Sequence, residues 1–260
     1  PPEEDLQQKS PLFSSKSQLS RIPVPEKVYP LSLATGMRGT IVMNTGFLRV
    51  LLDPGRFFEE RIKNEPGLKI PALIVLVYGL IGAVSAALAV NVVIALLPAE
   101  AQAFGAIGVA FAVAGAIVVG FLTWVFYAAV FYILSMLFGG EGTFTRTLEV
   151  TGYGLLPQVF GGIIGAVFSY QVISNLTIPP ITNPEQIAEV SESLAILVAT
   201  DPLTQIAGLV GIIFILWSAN IWIFGMKYAR NLSTRDAALT VGIPVALYIA
   251  YILITLIGWL

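Results

Sequence analysis

The sequence predicts an all-α membrane protein, a five-transmembrane-helix bundle with a cytoplasmic N-terminus and its C-terminus outside. Three observations support this fold class. Hydrophobic residues make up 56% of the 260 positions and charged residues only 12%, about half the charged fraction of an ordinary soluble domain. Five uncharged runs have the length that a bilayer requires. If the chain crosses the membrane five times, every lysine and arginine lies on the same side of the membrane.

The five runs are long enough to cross hydrocarbon as helices, which takes roughly 20 apolar residues with a rise of about 1.5 Å each. Together they predict a transmembrane domain over residues 70–260. The predicted spans cover about 70–97, 104–138, 150–174, 203–226 and 237–259.

The number of spans depends on charge, because the uncharged stretch 101–140 has room for one long helix or two short ones. With one helix there, the N-terminal region and the loops near Arg146 and 227–235 share one side and contain all 14 lysines and arginines. All charged residues on the opposite side are acidic. The positive-inside rule therefore favours five spans and a cytoplasmic N-terminus.

Two segments precede the first span. Residues 1–36 are rich in proline, serine, glutamine and charge, a composition typical of a disordered cytoplasmic tail. Residues 37–69 interleave apolar and basic side chains, and Asp53-Pro54 is a helix-start signal, so we expect juxtamembrane amphipathic helices. They either cover the end of the bundle or bind lipid or a partner protein. The candidate contact residues are Arg49, Asp53, Pro54, Arg56, Phe57, Phe58, Arg61 and Lys63.

A further amphipathic element is predicted between the third and fourth spans. Asn183-Pro184 is a second helix-start signal, and apolar residues recur on one face of the segment that follows it. We expect a short helix on the outer side of the membrane.

Several classes of chemistry are excluded by missing residue types. The chain has no cysteine and no histidine, so disulfides, Cys/His zinc sites and haem ligation are ruled out. No predicted span contains an aspartate, glutamate, lysine or arginine, the groups that intramembrane proteases and proton-coupled pumps need. The sequence therefore predicts no enzyme, no cofactor and no nucleic-acid partner.

Small and polar residues inside the spans leave alternatives open. Gly108, Ala112, Ala116 and Gly120 repeat every four positions, a pattern that serves helix packing within one bundle or a homo-oligomer. Gln158 and Asn220 are intramembrane amides, and Pro157 interrupts the third span beside the first of them. Such amides either tie neighbouring helices together or line a polar cavity for a solute.

Two motifs carry a resemblance to a known family. Residues 51–58 (LLDPGRFF), followed by 71–73 (PAL) at the first span, resemble the start of the Yip domain, a family named for interaction with Ypt and Rab GTPases. Residues 139–144 (GGEGTF) and 149–157 (EVTGYGLLP) are similar to the corresponding region of its prokaryotic members. The likeness covers about residues 48–260.

This resemblance implies a non-catalytic partner-binding adaptor or membrane organiser, since eukaryotic relatives work in vesicle traffic. The protein would be a multi-pass protein of the cell membrane in a prokaryote, or of endomembranes in a eukaryote. The alternative is a channel or transporter for a small neutral solute, using a polar site near Gln158 and Asn220.

Overall fold

The computed structural model describes residues 48–97, 102–176 and 187–258, all within one compact unit. The predicted tail 1–36, the predicted juxtamembrane segment up to residue 47 and the helix-start signal at 183–184 lie outside these residues.

The described residues form helices and no strand. Residues 48–52 are helical, and eight further helices follow: α1 Pro54–Arg61, α2 Lys69–Leu96, α3 Gly105–Leu137, α4 Phe144–Gly154, α5 Leu156–Asn175, α6 Ile187–Thr200, α7 Pro202–Ala229 and α8 Thr234–Gly258. Five stretches are long and apolar enough to cross a membrane, namely α2, α3, α4 together with α5, α7 and α8. The predicted all-α fold with five such helices is therefore confirmed.

Local signals explain where several helices begin. Asp53 caps α1, because its carboxylate accepts a hydrogen bond from the Arg56 backbone N–H at 3.2 Å, and Pro54 occupies the first helical position. Asp201 caps α7 in the same way by accepting from the Leu203 N–H at 2.8 Å. The helix start predicted at Asp53-Pro54 is thus present.

The third membrane-crossing stretch begins earlier than predicted. It starts at Phe144 rather than near residue 150, because the Thr143 hydroxyl caps α4 by accepting from the Arg146 N–H at 3.3 Å. Pro157 has no N–H to donate, and the helix is interrupted at Leu155, between α4 and α5. Arg146, which was expected in a loop, therefore lies in a helix, and the helical stretch from Phe144 includes the charged residues Arg146 and Glu149.

Close backbone contact joins α2 and α3, which run antiparallel. A Cβ atom added to Gly120 would lie only 3.2 Å from the Gly79 Cα, and one added to Gly108 would lie 3.8 Å from Val90. The absence of side chains at Gly79 and Gly120 lets the two backbones approach. Two members of the small-residue stripe thus pack inside one chain, and a homo-oligomer remains a prediction.

The bundle has one end with buried charge, which we call the charged end and define by Arg61, Arg146, Glu149 and Arg230. At this end α2, α4 and α8 begin, and α3 and α7 finish. The helix α6 lies at the opposite end, beside the start of α7.

Candidate functional site

A buried carboxylate, Glu149, is the centre of the charged end. Its side chain is fully buried. Arg61 approaches one carboxylate oxygen, Oε1, at 2.5 Å, and Arg146 donates to the other, Oε2, at 2.6 Å. The Gly67 backbone N–H also donates to Oε1, at 3.2 Å. Both oxygens are therefore occupied by donors, the arrangement that a buried carboxylate requires.

The chain builds this cluster from two distant segments. Arg146 and Glu149 are three positions apart on α4, so they share one face of the helix. Arg61 ends α1, and the second arm of the Arg146 guanidinium donates to the Asn64 carbonyl. The cluster consequently fastens α1 and the turn after it onto the first turns of α4.

A second buried cation, Arg230, follows the end of α7 and is 2% exposed. Its guanidinium donates to the Ser135 hydroxyl at 2.9 Å, to the Gly140 carbonyl at 2.6 Å and to the Gly142 carbonyl. It also lies 4.2 Å from the centre of the Tyr132 ring. Carbonyl oxygens and an aromatic face both favour a cation, and the two carbonyls belong to the turn between α3 and α4, so Arg230 closes that turn.

The motif at 149–157 has a packing explanation. A Cβ atom on Gly154 would lie 2.0 Å from the Trp222 ring, and one on Gly152 would lie 2.9 Å from the Trp124 ring nitrogen. Trp222 donates to the Thr151 carbonyl at 2.9 Å, and Trp124 donates to another α4 carbonyl at 2.8 Å. The two glycines therefore make room for two tryptophans that hold α4 against α7 and α3.

The predicted contact residues of the N-terminal segment separate into two groups. Pro54 and Phe58 are buried, and Phe57 is half-buried with its ring 5.1 Å from that of Tyr153. The half-buried Arg61 belongs to the Glu149 cluster. Packing against the bundle accounts for the apolar members of this group.

The other group is exposed. The Arg49 side chain is 3.2 Å from Glu60, and the Arg56 side chain is 3.4 Å from the half-buried cap Asp53. Lys63 is exposed in the turn after α1. Arg49, Arg56 and Lys63 are therefore the exposed basic residues of this segment, and we call them the basic surface; the exposed Glu59, Glu60 and Glu65 lie among them.

The two amides of the candidate solute site do not meet. The Gln158 side-chain amide donates to the Ser218 hydroxyl at 3.1 Å, while Asn220 is exposed. Gln158 also lines a cavity of about 60 Å³ between α2, α3, α5, α7 and α8. Three tyrosines, Tyr78, Tyr127 and Tyr248, share that lining.

Sequence reasoning did not find the Glu149 cluster or the buried Arg230. One local signal was present: Thr143, Arg146 and Glu149 recur every three positions, the spacing of a capped helix start with an ion pair on one face. Within the described residues, no group of three acidic, histidine or cysteine side chains could hold a metal ion.

These features define a polytopic α-helical membrane protein whose buried charges fasten a membrane-proximal segment to the bundle. A family model described as the Yip1 domain matches residues 48–257. The chain therefore belongs to the Yip1 domain family, which confirms the resemblance of the two motifs.

The chain is also similar to an uncharacterized protein of the archaeon Methanocaldococcus jannaschii. The two are 33% identical over 130 residues, which cover 50% of this chain and 91% of that protein. No solved structure matches the chain.

Proposed function

We propose that this protein is a non-catalytic adaptor or membrane organiser that binds a partner protein at its charged end. Membership of the Yip1 domain family supports a non-catalytic role in a membrane. The observation that carries the proposal is the basic surface of Arg49, Arg56 and Lys63, presented by a segment that is fastened to the bundle.

The segment is suited to the boundary between membrane and water. Leu52 is 77% exposed beside the basic surface, and an apolar side chain next to basic ones is the composition of interfacial helices. Basic residues near an anionic leaflet each contribute about 1 kcal/mol. The charged end therefore combines lipid attraction with side chains that remain available to a partner.

The arrangement of the buried charges also favours a non-catalytic role. Both carboxylate oxygens of Glu149 are engaged by the chain's own donors, and Arg230 is held by the chain's own acceptors. A general acid or base needs a proton site that a substrate can reach, whereas these groups are used in joining helices.

The orientation in the membrane is part of the proposal. Within the described residues, the lysines and arginines belong to segments that meet at the charged end, so the positive-inside rule puts that end in the cytoplasm. The partner would then be a cytoplasmic protein or the cytoplasmic part of another membrane protein. In a prokaryote the membrane concerned would be the cell membrane.

The test is chemical cross-linking in native membranes with two matched variants. One replaces Arg49, Arg56 and Lys63 with glutamine, and the control replaces the exposed Glu59 and Glu65 with glutamine. We expect partner cross-links to persist in the control and to be lost in the basic-surface variant. Equal cross-linking by both variants would overturn the proposal.

A second function, binding or passage of a small neutral solute, is favoured by the cavity at Gln158. An amide and three tyrosines line it, and the interrupted helix beside it is a feature of transporter binding sites. Reconstituted liposomes would test this function. Solute uptake by the wild type that the Gln158→Leu variant lacks would support it, and equal permeability of protein-containing and protein-free liposomes would exclude it for the solutes measured.

A further inference from the structure

A large apolar cavity lies at the end of the bundle opposite the charged end. Its volume is about 300 Å³, and it is enclosed by α2, α5, α6 and α7. Residues that line it include Ala89, Phe168, Val172, Leu194, Val198 and Ala207.

The cavity is elongated along the helices. Its lining extends from Ser85 to Val93 on α2 and from Phe168 on α5 to Leu176, which follows the end of that helix. Each of these stretches spans about 12 Å at about 1.5 Å per residue. A cavity of this length, lined along helices that are long and apolar enough to cross a bilayer, can hold a stretch of hydrocarbon chain.

The chemistry of the lining favours an apolar occupant. Among the described residues that line the cavity, the only side chains with a polar atom are the hydroxyls Ser85, Ser169 and Thr204, and none is charged. An apolar cavity of about half this volume excludes water and takes up small hydrocarbons. Because most of the lining is apolar and no charged side chain lies there to balance a headgroup, the lining suits a hydrocarbon chain best.

The cavity is continuous with the surface that faces lipid. Val93, one of its lining residues, is 43% exposed, and the neighbouring Val84 and Val167 are more than half exposed. Acyl chains surround these helices in a bilayer, so hydrocarbon is present at the opening. On the other side, Leu194 and Val198 lie four positions apart on α6 and cover the cavity.

We propose that this cavity binds one acyl chain of a bilayer phospholipid, whose headgroup stays outside the bundle at the end where α6 lies. Such a site is separate from the basic surface, which would bind headgroups at the charged end. It assigns α6 a role as one wall of a lipid site.

The first test labels the wild-type protein in liposomes that contain phosphatidylglycerol with a diazirine near the end of one acyl chain. Val172 is only 3% exposed and lines the cavity, whereas Phe111 is 76% exposed on α3. We expect adducts at both residues. Adducts at Phe111 without any at Val172 would overturn the proposal, because they would show that the probe reaches only the outer surface.

The second test fills the cavity from two helices, with Ala89→Phe and Ala207→Phe, and uses Ala114→Phe on the exposed face of α3 as control. Native mass spectrometry of the purified full chain should show one retained phosphatidylglycerol in the wild type and the control. We expect at least a tenfold lower retained fraction in both filled variants.

Equal retention of phosphatidylglycerol by all variants would overturn the proposed site. A retained free fatty acid, or a second copy of the chain, in place of the phospholipid would overturn it as well. The labelling of wild-type protein decides the question even where a filled variant does not fold.

Discussion

Replacing Glu149 with glutamine should strongly destabilise the protein. The substitution keeps the size of the side chain, but it removes the negative charge that faces Arg61 and Arg146. The new side chain would also place an amide N–H, a hydrogen-bond donor, opposite one of the guanidinium groups, which are donors themselves. The carboxylate oxygen at that position was an acceptor.

The expected magnitude follows from the burial of the three side chains. Glu149 is fully buried, the Arg146 side chain is 10% exposed and the Arg61 side chain is 23% exposed. Arg61 can turn toward water, whereas Arg146 is left as a buried cation without its counterion. Removing one partner of a buried ion pair costs about 3–5 kcal/mol, and we expect Glu149→Gln to fall in this range.

Reversible unfolding in mixed micelles measures this free energy. The matched control is Glu60→Gln, because Arg49–Glu60 is also an arginine–glutamate pair, 3.2 Å apart, but its side chains are 55% and 65% exposed. An exposed pair contributes about 0–1 kcal/mol. The double variant Arg146→Met/Glu149→Leu should lose less than the two single variants together, because it removes both members of the most buried pair and leaves only Arg61, which can turn toward water.

The reasoning would be refuted if Glu149→Gln were no more destabilising than Glu60→Gln. It would also fail if the effects of the Arg146 and Glu149 substitutions simply added, because two charges that neutralise each other must be coupled.

Three further outcomes are expected. Removing the α1 cap with Asp53→Ala should lower the free energy of unfolding by about 1 kcal/mol. Gly154→Ala puts a methyl group 2.0 Å from a buried tryptophan ring and should destabilise by about 1–3 kcal/mol, whereas Gly165→Ala, with no atom within 4 Å, should be neutral or stabilising. Single cysteines at the exposed Thr145 and Ser193 should react with impermeant reagents from opposite sides of the membrane.

Each of these outcomes has a clear contrary result. Equal effects of the two glycine substitutions in the same unfolding assay would remove the packing argument for the motif. An Asp53→Ala variant as stable as the wild type would remove the capping argument. Labelling of both cysteines from one side would refute the arrangement of five spans, and the chain has no native cysteine to obscure this result.

The positions of the helices were largely predictable because their causes are local. Uncharged runs of bilayer length specify spans wherever they occur, and the predicted and observed bounds agree to within a few residues for four of the five. The third predicted span differed because charged residues such as Arg146 and Glu149 indicate a loop when only the sequence is considered. In the bundle these two side chains form an ion pair, which allows a helix to bury them.

The pairing of polar groups was much less predictable. Gln158 bonds to Ser218 and not to Asn220. Ser218 and Asn220 are two positions apart, about 200° around a helix, so at most one of them can face Gln158. Trp222 packs against Gly154 and lies four positions after Ser218 on α7, so the same face of this helix turns both side chains inward. No pattern within either helix encodes which face turns inward.

By itself the sequence determined that this chain is a helical membrane protein with five stretches long and apolar enough to span a bilayer, since hydrophobicity acts on each segment separately. Only the tertiary structure decided that Glu149 is buried between Arg61 and Arg146, that Arg230 closes a turn, and that a hydrocarbon-sized cavity lies under α6. The physical reason is distance. Ion pairing and cavity shape depend on contacts between residues far apart in the chain, such as Arg61 and Glu149, and those contacts exist only after the helices have packed.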